Sequence, residues 1–281
     1  MVTMLERRTV ARIDHPVEQV GMNSTHRIRP LLGFGAWKEH DPFLALMEDW
    51  FPRGVFDRHP HRGIETVTYV LDGELEHYDN QGNAGFIRPG DAQWMTAGRG
   101  VIHNEIPAEG VTVHSLQLWV NLPAAHKLTA PRYQDLTAAT RPVRREPGVE
   151  VRVFSGASGG VSAATLNYVP VTMVEVRLEK GATAVQDLPA SYSAFVVVLE
   201  GQGRLGAGND PIHAGDVAFL SRTAEPSEVA LRAGPSGPLR ALLYAGLPLG
   251  EPVVARGPFV MNTEQQIREA FADYSAGRFG A

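Results

Sequence analysis

Apolar residues along this chain come in short bursts, each closed by a turn signal. Residues 66–71 run into Asp72-Gly73, residues 85–87 run into Pro89-Gly90, and residues 194–199 run into Glu200-Gly201. Bursts this short, rich in Val, Thr, Tyr and Phe and bounded by Gly, Pro and Asp, read as β-strands joined by turns. Such punctuation is dense throughout, with 29 Gly and 20 Pro in 281 residues. The expected class is all-β, a sandwich or barrel. One segment breaks the pattern: Ile267, Ala270, Phe271 and Tyr274 fall at i, i+3, i+4 and i+7, the spacing of one helix face. Thr263 stands where an N-cap belongs, Gln266 completes a capping box, and Gly277 ends the run. A short C-terminal helix is expected, its apolar stripe packed on the chain's own β core.

The pattern also repeats. Tyr69-Val70-Leu71-Asp72-Gly73 precedes Gly90-Asp91 much as Val197-Val198-Leu199-Glu200-Gly201 precedes Gly215-Asp216. This implies two copies of one β unit, and at roughly 150 residues per domain the chain has room for both. Between the copies, residues 141–148 are rich in charge, Pro and Gly and lack periodicity, as a linker does. The expected domains are residues 1–146 and 147–281.

Composition narrows the chemistry. The chain is 43% apolar and 20% charged, as in ordinary globular proteins, and its net charge of −5 gives no general attraction to nucleic acid or anionic lipid. Neither is expected as a direct partner. The longest clean apolar run is six residues, where a membrane helix needs about 20. Glu6, Arg7, Arg8, Arg12 and Asp14 occupy the stretch where a signal peptide would be apolar, so a cytoplasmic location is expected. There are no cysteines, which removes disulfides, thiolate metal sites and cysteine nucleophiles together. Any metal must therefore rest on His, Asp, Glu or backbone oxygen.

Such a ligand set is present. In an extended segment, residues i and i+2 project from the same face, so His59-Pro60-His61 can present two imidazoles to one ion. Forty-four residues on, His103-Asn104-Glu105 offers an imidazole and a carboxylate in the same way. On neighbouring strands of a small barrel the two pairs would converge. Imidazole plus carboxylate without sulfur suits iron(II), manganese, nickel, copper or zinc, and leaves positions open for substrate or oxygen. Gly201-Gln202-Gly203-Arg204-Leu205-Gly206 spells a dinucleotide fingerprint, but it sits at a hairpin turn and opens no helix. No Gly-x-Ser-x-Gly elbow supports a hydrolase.

The segments His59-Pro60-His61-Arg62-Gly63-Ile64-Glu65-Thr66-Val67-Thr68-Tyr69 and Gln93-Trp94-Met95-Thr96-Ala97-Gly98-Arg99-Gly100-Val101-Ile102-His103-Asn104-Glu105 resemble the pirins, a branch of the cupin superfamily. The likeness continues through residues 117–123 and returns at residues 257–263 and at Asp273-Tyr274, with only a loose match from about 146 to 240. The resemblance implies two tandem cupin β-barrels, with a non-haem iron in the first held by His59, His61, His103 and Glu105. It further implies a quercetin 2,3-dioxygenase-like activity that opens flavonols or other aromatic enols with O2, Glu105 accepting the substrate's proton. Trp94 and Met95 would serve as pocket lining or barrel core. Pirins also include regulators that bind a protein partner and take the iron's oxidation state as the signal, which is the alternative function.

Two details qualify the resemblance. Glu65 leaves seven residues before Gly73 where the general cupin pattern leaves six, which puts Thr66 in the usual glutamate's slot and leaves Glu65 outside the ligand set. Glu65, Gln93 and Gln117 are instead candidates to accept the imidazoles' second N–H groups. In the second copy, the offsets that separate Gly73 and Gly90 from the four ligands lead to Asp187, Pro189, Glu228 and Ala230. His213 is the only histidine there, so no matching site is expected.

Overall fold

The computed structural model describes residues 5–279, so the outermost ends of both expected domains lie outside the described residues. Strands dominate, and the chain divides into two compact units. The first takes Val17–Ala139 with the segment from Leu249 onward; the second takes Thr140–Pro248 with the N-terminal segment up to Pro16. This differs from the linear division at residue 146, because each tail is an edge partner of the other half's unit. Glu6–Arg7 pairs in parallel with Ser227–Ala233, and Val10–Asp14 pairs antiparallel with Val217–Leu220. At the other end, Phe259 bridges to Arg62. Exposed strand edges carry unpaired N–H and C=O groups, and these tails satisfy them.

The first unit is a barrel made from two sheets. Seven strands lie in the order Arg132–Leu136, Ala92–Thr96, Ile64–Asp72, Thr112–Asn121, Phe43–Pro52, Arg27–Leu32 and Gln19–Val20. A smaller sheet orders His59–His61, Val101–Pro107, Leu75–Asp79 and Ala84–Ile87. Apolar clusters pack on either side of the polar interior, one around Leu44, Ile64, Met95 and Val101, another around Phe51, Val70, Leu75 and Val113. Trp94 and Met95 belong to this buried core.

The second unit is built on an eleven-stranded sheet with one continuous apolar core running from Val149 through Val196 and Leu231 to Ala245. The helix expected near the C-terminus spans Glu264–Ser275. Thr263 Oγ1 accepts from Gln266 N at 3.2 Å and Gln266 Oε1 accepts from Thr263 N at 3.1 Å, the two halves of the capping box. Its Ile267 and Ala270 are buried against Phe259, Met261 and Phe279, inside the first unit. Among the described residues no helix is long and apolar enough to cross a membrane.

Candidate metal centre

The two i,i+2 pairs lie on adjacent antiparallel strands, with His59 directly opposite His103. Because alternate side chains share a face, His61 and Glu105 then point the same way as the facing pair. The result is a buried cluster in which ligand atoms of His59, His61 and His103 lie within 4.8 Å of one another, the one such group among the described residues. Their ring centroids are 4.5–5.0 Å apart. Glu105 is not part of that tight group. It is buried alongside, where Thr68 Oγ1 donates to its Oε1 at 2.9 Å and Gln117 Nε2 donates to its Oε2 at 2.8 Å. Thr68 and Gln117 come from facing strands of the larger sheet, in register with each other, so the site sits between the two sheets.

Burial favours the neutral, electron-pair-donating form of two of the imidazoles, His61 and His103. His59 Nδ1 bonds to the Asp57 carbonyl at 2.8 Å; a carbonyl only accepts, so Nδ1 is the donor there and leaves Nε2 as the nitrogen available to a metal. His103 Nδ1 bonds to His77 Nε2 at 3.0 Å, while His103 Nε2 and both ring nitrogens of His61 are buried without a hydrogen-bond partner. Burial holds both His61 and His103 well below the ordinary histidine pKa, and the neighbouring imidazoles add to it. Buried polar atoms left unpaired cost about 1–3 kcal/mol each, and a cation held by one nitrogen each of His61 and His103 would relieve part of that cost. The donor set fits a divalent metal.

Around the cluster the structure supplies partners that spacing did not reveal. None of Glu65, Gln93 and Gln117 accepts from an imidazole. Gln93 donates to Asp135, and Gln117 serves Glu105. His77 takes that role for His103; it stands opposite Glu105 on Leu75–Asp79, a register pairing that spacing along the chain does not show. Trp119 sets the edge of its ring against His61 at 5.1 Å, and the exposed Phe34 meets Trp119 at 5.1 Å, an aromatic wall leading from the surface to the cluster. Gly63 closes the His59–His61 strand against Val260: a Cβ there would lie 2.0 Å from the Val260 carbonyl, and φ is +79°. The fully buried Lys127 ties the same corner, donating to Gly63 O, Val260 O and Asn121 Oδ1 at 2.6–2.9 Å.

Glu65 projects from the opposite face of Ile64–Asp72 to Thr68, as three-residue spacing on a strand requires. It is fully buried and accepts from Thr96 Oγ1 at 2.6 Å, and burial pushes its pKa up to about 7 against that bond.

Comparison with known proteins agrees with this geometry. Residues 23–120 match the model of the Pirin family and residues 173–280 match that of the Pirin C-terminal cupin domain. The chain is 41% identical to Pirin-1 of Arabidopsis thaliana, over 85% of this chain and 84% of that protein. It is 39% identical to Pirin of Rattus norvegicus, over 90% and 88%. Among solved structures, a quercetin 2,3-dioxygenase from Acinetobacter baumannii superposes with a TM-score of 0.82 at 32% identity, covering 99% of both chains. Two cupin domains, a buried three-histidine cluster in the first and matches across both halves lead to one conclusion: the chain belongs to the pirin family.

Proposed function

We propose that this protein is a metal-dependent dioxygenase that opens flavonol-like aromatic enols, such as quercetin, with O2. The observation that carries the reading is the convergence of three imidazoles, those of His61 and His103 buried and with orphaned nitrogens, beside a carboxylate oriented by Thr68 and Gln117. The likeness to an Acinetobacter baumannii quercetin 2,3-dioxygenase supports the choice of substrate class. His59, His61 and His103 would hold the metal, with Glu105 as a fourth ligand, and iron(II) is the proposed ion. Bound there, such a metal supplies Lewis acidity toward an enol hydroxyl and a meeting place for O2.

The chain's own residues do the rest. Glu105 takes the enol proton on its carboxylate, which Thr68 and Gln117 hold in one orientation. Trp119 and Phe34 would offer aromatic contacts to such a substrate, and Gln117 Oε1 fixes the Trp119 indole by accepting its N–H at 3.3 Å. The deciding experiment is metal analysis of anaerobically purified protein, followed by oxygen uptake across a panel of flavonols and simpler enols. Stoichiometric uptake with ring opening is the expected result. Iron without uptake on any enol, together with a protein-partner affinity that follows iron oxidation, would replace this reading with a regulatory one.

A further inference from the structure

Among the described residues, three rungs of the second unit's sheet set like charges directly opposite one another, which destabilises a ladder unless a counter-charge is supplied. Asp187 faces Glu228, and Arg7 with the backbone N–H of Gly159 meets that pair. Arg177 faces Arg240, and the buried Glu175 accepts from both guanidinium groups at 2.6–3.2 Å. Arg204 faces Arg232 in the same way, on the strands Ser193–Leu205 and Ser227–Ala233. Here the chain supplies no carboxylate. Arg204 donates only to the Asn209 carbonyl, at 3.3 Å, and among the described residues the Arg232 guanidinium has no partner.

The unmatched pair borders a groove of about 400 Å³, within the range of small-ligand sites. Side chains two apart share a strand face, so Gln202 lies beside Arg204, and register puts His213 opposite Gln202. These three line the groove with Arg232, Pro211 and Pro235. No acidic residue lines it, and no aromatic ring apart from the His213 imidazole. His213 Nδ1 stands 3.6 Å from Asp216 Oδ2, too long for a hydrogen bond, which leaves the ring available to a ligand. Gly203 is required between the arginines' strands, because a Cβ there would lie 2.2 Å from the Arg232 carbonyl. The segment Gly201-Gln202-Gly203-Arg204-Leu205-Gly206, which spells a dinucleotide fingerprint, runs as strand through Leu205 and offers no helix N-terminus. Its side chains at Gln202 and Arg204 face the groove instead.

We propose that this groove binds a phosphate group, as the free ion or on a small polar molecule, with Arg204 and Arg232 as its principal ligands. Two guanidinium groups bring two positive charges and two planar forks of donors. A phosphate monoester carries about −1.5 to −2 at pH 7 and has three oxygens to share between two forks, whereas a carboxylate brings one charge and two oxygens. The dianion is therefore the better match to an opposed pair. A nucleobase or a flavonol would lack a wide aromatic surface to stack on, and a chain of net charge −5 repels an extended polyanion. The ligand is small. Binding there needs neither the metal nor turnover of an enol.

Calorimetry and phosphorus NMR of the full chain, titrated with inorganic phosphate and with glycerol phosphate, test this, and acetate serves as the carboxylate control. At least one phosphate compound should bind with a Kd of about 1 mM or tighter. Tighter binding of the ester identifies an organic phosphate as the ligand, and equal or tighter binding of inorganic phosphate identifies the free ion; either keeps the site. Arg204→Gln and Arg232→Gln should each weaken binding about 10-fold or more, the loss expected for a hydrogen bond to a charged group. Each variant also removes a like-charge contact, so its thermal midpoint without phosphate should hold or rise slightly. Added phosphate should then raise the midpoint of the parent and leave that of the variants in place. A crystal structure of the parent grown with glycerol phosphate should show the phosphate between the two guanidinium groups. Acetate binding as tightly as phosphate overturns the choice of ligand. No phosphate binding by the parent, an affinity unchanged in both variants, or a phosphate bound away from this rung overturns the site.

Discussion

The two barrels place different residues on the same rung. In the first, His59 stands opposite His103 on a pair of antiparallel strands. In the second, the equivalent rung joins Asp187 to Glu228. Two like charges directly opposite destabilise a sheet, and here each is met from within the same unit. Arg7 Nε donates to Glu228 at 2.9 Å, and the backbone N–H of Gly159 donates to Asp187 at 3.0 Å. Just beyond, the fully buried Arg8 donates to Ser227 Oγ, Tyr192 O and Pro189 O at 2.7–3.1 Å, so a guanidinium is bonded where the first barrel has His61. In the second barrel this rung is satisfied by the unit's own residues. The other leaves three imidazole nitrogens unmet, and that difference makes it the candidate metal-binding one.

The sharpest way to break this contrast is to remove one orphaned donor. His61→Ala should empty the first barrel of metal, with an effect exceeding the ~10–100-fold that loss of an outer hydrogen-bond partner costs. Elemental analysis after dialysis reads this directly, and full retention would move the site elsewhere. Next in size is Glu105→Gln, which keeps a coordinating oxygen but removes basicity: turnover should fall about 10²–10⁴-fold while metal content drops only modestly. An equal loss of both would mean that Glu105 serves the metal alone.

On the other side of the comparison, Arg8→Met should strand three acceptors in the second barrel and lower stability by about 2–4 kcal/mol, with no change in bound metal. Denaturant midpoints together with metal analysis separate the two barrels' contributions. A metal loss in this variant would show that the second barrel's closure matters to the first one's site.

The smallest and most discriminating effects concern the two fully buried carboxylates outside the cluster. Burial pushes the Glu65 pKa up to about 7 in the folded chain, from 4.5 when unfolded. Between those values the folded state binds the extra proton, so stability falls as pH rises through that window and stays lower above it. Glu65→Gln should therefore be neutral near pH 4 and gain on the order of 3 kcal/mol by pH 8, with the metal retained. In the second barrel burial also pushes Glu175 up, but Arg240 and Arg177 more than reverse it, with bonds of 2.6–3.2 Å. Its folded pKa lies below the unfolded one, so Glu175→Gln should cost stability at neutral pH and the cost should fade in acid. Thermal melts should show opposite signs for the two variants near pH 8 and both effects fading toward pH 4, and matching signs near pH 8 would refute the assignment of one carboxylate or the other.

Much of the site was legible because strand periodicity is local. Residues two apart share a face in any extended segment, so His59 with His61 and His103 with Glu105 can be paired from spacing alone. The helix caps Thr263 and Gln266 were readable for the same reason, being contacts within four residues. The turn-glycine count likewise placed Glu65 outside the ligand set, and its side chain bonds to Thr96, away from the imidazoles.

Only tertiary structure decided the rest, since register and edge pairing join residues far apart in the chain. It put His59 opposite His103, and it chose His77 rather than Glu65, Gln93 or Gln117 as an imidazole's partner. It turned Thr68 and Gln117 onto Glu105 from the facing sheet, and brought His26 to Asp49 on a neighbouring strand. It also assigned each tail to the unit built by the other half, because unpaired strand edges take whichever complementary segment the completed fold presents. Local patterning determined which side chains can act together, and hydrogen-bond register between distant strands determined which of them meet.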